Sequence, residues 1–228
     1  MLDERLSLAY RLYGHCKLAA DIGTDHAYLP SELLINRKCE RMILTDISPS
    51  ALDNARREII RRNLQPRVQL RCGDGILPLY ERCEMISVLG MGGQTISRIL
   101  SEGRDHLYGA SLLLSAHTDL DLVRSTLCSI DYTIDREEPC LSGGRFYLLI
   151  RAYPGKDILT PQQIRIGKKL FGSSSPVLKD YIRRRSEVLL SKYNGLLRAS
   201  SPDIELKKTV EEDIAFYRHY LEVGNEDI

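Results

Sequence analysis

Acidic residues stand at the ends of three short apolar segments of the sequence. Asp21 and Asp25 bracket the turn after the first segment, Asp46 ends the second, and Asp74 follows the third. In a sheet of parallel strands, the carboxyl ends of neighbouring strands meet at one edge, where ligands bind. We therefore expect these carboxylates to line one crevice and to attract a cationic ligand.

The first turn reads Asp21-Ile22-Gly23-Thr24-Asp25. A dinucleotide site would have a second glycine at position 25, so that bare backbone approaches a pyrophosphate. A carboxylate at that position repels phosphates, but it suits the sulfonium and ammonium groups of S-adenosylmethionine. The turn therefore favours this methyl donor over a nicotinamide cofactor. The alternative is that Asp25 only caps the next helix.

The later strand ends extend the predicted donor site. Asp46 is placed to hold ribose hydroxyls, or else to cap the helix that begins near Pro49. Asp74 is predicted to accept a hydrogen bond from the adenine of the donor, or else to form a tight turn. The glycines after the fourth strand allow backbone to approach a ligand closely. The predicted cofactor-binding residues are Asp21, Gly23, Thr24, Asp46, Ile47, Gly73, Asp74, Gly75, Gly90, Met91 and Gly92.

Strand-like segments alternate with helical patterns from about residue 17 to residue 153. This alternation predicts an α/β fold with a mostly parallel, doubly wound sheet. Segments 132–136 and 146–152, joined around Ser142-Gly143-Gly144, are predicted to close the sheet as an antiparallel pair. We predict the class I Rossmann-like methyltransferase fold, with a catalytic domain at residues 1–154. The helix predicted over 120–130 should be capped by Thr118 or Asp119.

Residues 155–228 have few strand signals and are predicted to form a small helical domain. Ile182, Leu189 and Leu196 repeat at seven residues, and Ser201-Pro202 separates them from a second apolar series. That second series consists of Val210, Ile214, Tyr217 and Leu221. The two series predict an antiparallel helical hairpin that resembles a short coiled coil.

Charge is distributed unevenly in this helical region. The whole chain has a net charge of +1, but residues 164–198 carry nine Lys or Arg against two acidic residues. Such a segment is suited to a polyanion, although a solvated helix face is the alternative. The candidate RNA-binding residues are Arg183, Arg184, Arg185 and Lys192.

Several classes of protein are disfavoured. No apolar run approaches the ~18 residues of a membrane-spanning helix, and the first five residues include Asp3, Glu4 and Arg5. We therefore expect a cytoplasmic protein. The six cysteines form no C-x-x-C pair and no Cys/His cluster with zinc spacing, so reduced thiols and no metal are expected.

Several motifs together resemble the bacterial TrmK family. They are residues 2–30, with Leu6 and then the segment 20–30, together with Gly73-Asp74-Gly75, Gly90-Met91-Gly92-Gly93 and Gly144-Arg145-Phe146-Tyr147. The resemblance implies methylation of N1 of adenine 22 in tRNA with S-adenosylmethionine, by a Rossmann-like domain followed by a helical domain. One departure lies beside the implied target pocket, where Ser115-Ala116-His117 replaces the usual Gln-Pro-Asn of the family.

N1-methyladenine is cationic near neutral pH, so a nearby carboxylate would stabilise the charge that develops during transfer. Asp25 is the first candidate, followed by His26 and Tyr28. His26 could orient Asp25, touch the flipped base, or be an ordinary polar residue in a helical turn. Two other functions stay open: a methyltransferase for a small molecule, and a non-enzymatic RNA-binding protein with a relic cofactor fold.

Overall fold

The computed structural model describes residues 2–170, 176–199 and 203–223. Within these residues seven strands form one sheet with the order β3-β2-β1-β4-β5-β7-β6. The strands are β1 Cys16–Ile22, β2 Cys39–Asp46, β3 Val68–Cys72, β4 Met85–Met91, β5 Ser111–Ala116, β6 Tyr132–Ser142 and β7 Arg145–Pro154. The first five strands pair in parallel, and β7 is antiparallel to both β5 and β6. The predicted fold class is confirmed.

Helices cover both faces of the sheet and continue beyond it. They are α1 Glu4–Leu12, α2 Tyr28–Ile35, α3 Pro49–Arg61, α4 Gly93–Glu102, α5 Leu120–Ser129, α6 Pro161–Ile166, α7 Pro176–Arg198 and α8 Ile204–Val223. Among the described residues, none of these helices is both long and apolar enough to cross a membrane.

The core is divided between the two faces of the sheet. Successive side chains of a strand point to opposite faces, and Leu112 and Leu113 accordingly join different apolar clusters. Leu112 packs with α4 and α5 residues such as Ile96 and Leu127. Leu113 packs with residues such as Leu8 of α1 and Leu33 of α2. This arrangement fixes the sheet between two helical layers and leaves the carboxyl ends of its parallel strands free to carry loops.

Asp119 stands at the predicted cap position of α5 but does not cap it with its side chain. Its φ of 50° is left-handed, and its side chain makes no capping hydrogen bond. Its carboxylate instead accepts a hydrogen bond of 2.7 Å from the Thr118 hydroxyl. Both candidate capping groups therefore bond each other rather than the first turn.

The C-terminal helices form the predicted antiparallel hairpin. Tyr193 of α7 hydrogen-bonds Glu211 of α8, and Arg185 of α7 hydrogen-bonds Tyr217 further along α8. The predicted apolar series faces inward at Ile182 and Tyr217, which are buried. The inward position predicted for Leu221 is wrong: Tyr220 is buried instead. Ser201-Pro202, predicted to separate the helices, lies outside the described residues.

A buried ion pair joins the sheet to the segment after residue 154. The Arg124 and Glu137 side chains are 1% and 0% exposed, and their Nε–Oε1 distance is 2.7 Å. Arg124 also donates to the Ile164 carbonyl at 3.0 Å, and the Lys169 amide donates to Glu137 at 2.8 Å. The helical region is thus fastened to α5 and β6 through polar groups. The domain boundary at residue 154 stays a prediction.

Candidate active site

Asp21 lies at the end of β1 in a buried hydroxyl network. Its two carboxylate oxygens accept hydrogen bonds of 2.6 Å from Ser87 and Thr24. The Tyr13 hydroxyl lies 3.0 Å from that of Ser87. Burial raises the pKa of Asp21, and these hydrogen bonds oppose the shift. Sequence reasoning missed Ser87, although a hydroxyl inside an apolar strand is a signal that could have indicated it.

Gly23 allows the turn after β1 to approach β4. Its φ is +76°, and a Cβ at this position would lie 2.0 Å from the Met91 Cε atom. The Gly23 and Thr24 amides donate to the Thr45 carbonyl at 2.8 and 3.0 Å, which fixes the turn against β2. The backbone conformation therefore favours glycine, and the flexible end of Met91 fills the space beside it.

Asp25, His26 and Tyr28 form an exposed cluster after this turn. Asp25 accepts a hydrogen bond of 2.7 Å from Asn54 of α3, and its other oxygen lies 3.2 Å from His26 Nε2. The His26 and Tyr28 rings stack, with centroids 5.4 Å apart. The alternative that Asp25 caps α2 is wrong, because left-handed Ala27 precedes that helix and no side chain caps it. Asn54 was not predicted.

Asp46 at the end of β2 and Asp74 after β3 both accept hydrogen bonds from nearby groups. Asp46 accepts a hydrogen bond of 2.7 Å from the Ser48 amide. Ser48 itself caps α3, so the alternative that Asp46 is the cap is wrong. Asp74 receives two hydrogen bonds, of 2.9 and 3.0 Å, from Arg98. This guanidinium, which was not predicted, lowers the pKa of Asp74 and keeps it ionised.

One cavity, with a volume of about 450 Å³, brings together part of the predicted set. The predicted residues in its lining are Asp21, Gly23, Thr24, Asp25, His26, Tyr28 and Gly90. Arg5, His117, Arg145 and Tyr147 also line it, and none of these was selected as a site residue. Arg5 was missed because α1, the helix that carries it, was not predicted.

The other predicted cofactor residues lie outside that lining, at the adjoining strand ends. They are Asp46, Ile47, Gly73, Asp74, Gly75, Met91 and Gly92. Backbone contacts join these loops, since the Gly73 amide donates to the Asp46 carbonyl at 3.1 Å. The side chain of Thr45 donates to the Gly75 carbonyl at 3.1 Å. The loops after β1, β2 and β3 therefore form one continuous edge beside the cavity.

The four candidate RNA-binding residues do not share one face of α7. Arg183 pairs with Asp180 at 2.6 Å, and Arg184 pairs with Glu187 at 2.9 Å, both on the exposed surface. Lys192 is also exposed. Arg185 turns inward and hydrogen-bonds Tyr217. Three consecutive residues span about 200° of a helix, so a run of arginines cannot present all its side chains to one partner.

Among the described residues, no group of three or more His, Cys, Asp or Glu side chains that could hold a metal ion is found. The cluster after β1 brings together two such side chains, Asp25 and His26, and its third polar group is the Asn54 amide.

Comparison with known proteins places this geometry in a family. The model of the methyltransferase-domain family matches residues 2–150. The tRNA (adenine(22)-N(1))-methyltransferase of Bacillus subtilis (strain 168) is 30% identical over 156 residues. That alignment covers 68% of this chain and 66% of the relative, just under two thirds of its length.

Two solved structures match nearly the whole chain. The B. subtilis M1A22 tRNA methyltransferase TrmK has a TM-score of 0.85 at 24% identity, with 97% of this chain and 99% of that chain covered. M. capricolum TrmK in complex with S-adenosyl-homocysteine has a TM-score of 0.83 at 25% identity, with 98% and 99% covered. This chain therefore belongs to the methyltransferase-domain family, and the resemblance to TrmK proteins predicted from its sequence is confirmed.

Proposed function

We propose that this chain transfers a methyl group from S-adenosylmethionine to N1 of an adenine in tRNA, at position 22 by analogy with its B. subtilis relative. The observation that carries the proposal is the composition of one cavity. It combines the buried Asp21 and the Gly23 turn with the exposed Asp25, His26 and Tyr28. A cationic donor and an aromatic base can therefore meet in one place.

The residues present fit the donor. Neither Asp21 nor Asp25 forms an ion pair with Lys or Arg within residues 2–170, 176–199 and 203–223. Asp21 can therefore attract the cationic donor, and Asp25 is available to the target base. Asp21, Gly23 and Thr24 would hold its amino-acid part, Asp46 its ribose, and Asp74 its adenine. When bound, the donor supplies a sulfonium methyl: the N1–C bond forms with the N1 lone pair as the S–C bond breaks, and that bond's electron pair stays on sulfur.

The cluster after β1 supports the target base. N1 has a free lone pair, so alignment at attack distance can supply much of the acceleration without a general base. The Asp25 carboxylate would stabilise the positive charge that grows on the ring. His26 positions Asp25 from 3.2 Å. Tyr28, which is 48% exposed and stacked on His26, offers a ring surface to an adenine that has left its helix.

Exposed cations on α7 are the proposed contacts with the tRNA. Arg183, Arg184 and Lys192 would contact the tRNA backbone, whereas Arg185 joins α7 to α8 through Tyr217. The sequence predicted one patch of four cations, but the four side chains do not share one face of α7. The proposed docking set therefore consists of the three exposed residues. A tRNA substrate would place the enzyme in the cytoplasm.

Transfer of labelled methyl to unmodified tRNA, followed by mapping of the modified nucleotide, tests the function. We expect N1-methyladenine at one position, and we expect Asp25→Asn to lower kcat by about 100-fold while S-adenosylhomocysteine affinity stays within about threefold. Asp53→Asn, which alters an exposed carboxylate of α3, is the matched control. Label that enters only small metabolites would contradict the tRNA proposal, and full turnover by Asp25→Asn would remove Asp25 from the mechanism.

A further inference from the structure

Beside Gly90, three segments bring two cations and two rings together. Arg5 comes from α1, His117 follows β5, and Arg145 and Tyr147 lie on β7. The Arg5 guanidinium lies 5.3 Å from the centre of the Tyr147 ring, and the His117 ring meets that ring edge-on at 5.9 Å. A Cβ on Gly90 would lie 3.1 Å from Arg5 Nη1 and 3.8 Å from His117 Nε2. The bare backbone of β4 is thus the floor of this cluster.

Among the described residues, neither arginine of the cluster is held in an ion pair, but the charge of Arg5 acts on nearby Asp21 and works to lower the pKa of that carboxyl group against the effect of burial. Within the described part of the chain, no carboxylate forms an ion pair with Arg5 or Arg145. Arg183 and Arg184 on α7, by contrast, each pair with an acid of their own helix. An unpaired guanidinium beside a cavity attracts phosphate and carboxylate groups.

A second cavity adjoins the first at this cluster. It has a volume of about 390 Å³ and includes His117 and Arg145 in its lining, as the first cavity does. Its far side is formed by α7, where Arg184 and Val188 contribute. Since two residues border both cavities, they mark one groove that leads from the donor crevice past β7 to the basic surface of α7.

We propose that Arg5, His117, Arg145 and Tyr147 form the subsite for the target nucleotide of the RNA, a step that rests on the proposed function. Arg145 takes the phosphate of the target nucleotide from the groove side. The exposed His117 ring stacks on the base, while Arg5 covers one face of Tyr147 and holds that ring in place.

The charges of this cluster distinguish the two substrates that could bind there, the methyl donor and the RNA. The reactive end of the methyl donor is cationic and is repelled by unpaired arginines, whereas a phosphodiester is attracted. The donor also carries a carboxylate, so an arginine of this cluster could serve it instead. Donor affinity measured apart from tRNA turnover separates these roles.

The test uses the full chain with two variants at each of two residues and one matched control. Arg145→Ala should raise the KM for tRNA about tenfold, with Arg145→Lys partly restoring it and the dissociation constant of S-adenosylhomocysteine unchanged. His117→Ala should raise the same KM about tenfold because the stacking surface is removed, and His117→Phe should recover most of that loss. Arg136→Ala is the control, because Arg136 is exposed on the adjacent strand β6 and lines neither cavity.

Two outcomes overturn the subsite. Unaltered KM and kcat for tRNA in Arg145→Ala and His117→Ala would remove these residues from target binding. A loss of S-adenosylhomocysteine affinity as large as the rise in KM would assign them to the donor instead. If the unaltered protein methylates no tRNA, the proposed function fails and the subsite fails with it, whereas turnover by the unaltered protein with unaffected variants overturns the subsite alone.

Discussion

At the scale of single residues, Asp21 is the acid most strongly shaped by its surroundings. It is 9% exposed, and hydroxyl groups donate to both of its oxygens. Because burial raises its pKa, Asp21 loses its charge at a higher pH than an ordinary carboxyl group does. In the proposed donor site the ionised form would attract the ammonium group of the donor. Ligand affinity should therefore be full above the raised pKa and should fall as the pH drops through it.

We predict this pH dependence for S-adenosylhomocysteine binding measured by calorimetry from neutral pH downward. Asp21→Asn should weaken binding by about 10- to 100-fold at neutral pH and should flatten the pH profile. Asp53→Asn, at an exposed position of α3, should keep both the affinity and the profile of the unaltered protein. A profile for Asp21→Asn as steep as that of the unaltered protein would exclude Asp21 as its source.

Gly23 gives a second prediction at this scale. Gly23→Ala places a methyl group against the Met91 Cε atom and forces alanine to adopt a φ of +76°. The left-handed backbone costs about 1–2 kcal/mol, whereas the Met91 Cε atom is the end of a flexible side chain and can move aside. We expect lower S-adenosylhomocysteine affinity and a lower Tm, and Met91→Ala in the same chain should restore little of either. Full recovery in the double variant would show that contact with Met91, and not backbone strain, causes the loss.

Part of this residue-scale description could be predicted from the sequence. The Asp21–Asp25 turn was identified because its charges conflict with a phosphate ligand and its single glycine suits close approach. Ser87 and Asn54 could not be identified, since they lie 66 and 29 residues from the carboxylates they contact. Arg185 shows the converse: its type suggested a phosphate contact, but packing against α8 turned it inward.

At the scale of elements, the sheet was predictable and two helices were not. Apolar strands that alternate with amphipathic helices indicate their order directly, and a parallel sheet follows from it. α6 has only six residues and is too short for an apolar period. Its capping box, in which Thr160 and Gln163 bond each other's backbone, was a readable signal. Asp3, which accepts a hydrogen bond from the Leu6 amide, was the equivalent signal for α1.

The buried pair between α5 and β6 gives a prediction on stability. Arg124→Met leaves Glu137 charged and without its partner inside the core, which should cost about 3–5 kcal/mol in the free energy of unfolding. Arg104→Met removes a comparable pair with Asp131, but both of those side chains are 52% exposed. That control should cost less than about 1 kcal/mol. Urea unfolding of both variants checks the contrast, and equal losses would contradict it.

At the scale of the whole molecule, the proposed docking surface predicts how salt affects tRNA affinity. Removing one cation that touches a phosphate should reduce the slope of log K against log salt by about one. Arg184→Ala with Lys192→Ala should therefore bind tRNA more weakly and with a shallower slope. Lys17→Ala, an exposed change at the amino end of the central strand β1, should leave the slope unchanged.

Arg185→Ala separates docking from packing in the same titration. Because Arg185 faces Tyr217, its removal should lower Tm and leave the salt slope as it is in the unaltered protein. A slope reduced by about one, as for the loss of one phosphate contact, would show that Arg185 reaches the RNA. The inward position would then not be the one that binds tRNA.

The ion pair of Arg124 and Glu137 also bears on how the two halves of the chain can be combined. The Ile164 carbonyl and the Lys169 amide, both beyond the sheet, add hydrogen bonds to these charges. Tyr181 and Tyr217 of the tail belong to the same apolar cluster as Ile150 of β7. The helical tail therefore cannot be exchanged as an independent unit. A chimaera that replaces it after residue 154 with a foreign RNA-binding module would have to supply new partners for a charged pair inside the sheet-bearing part of the chain.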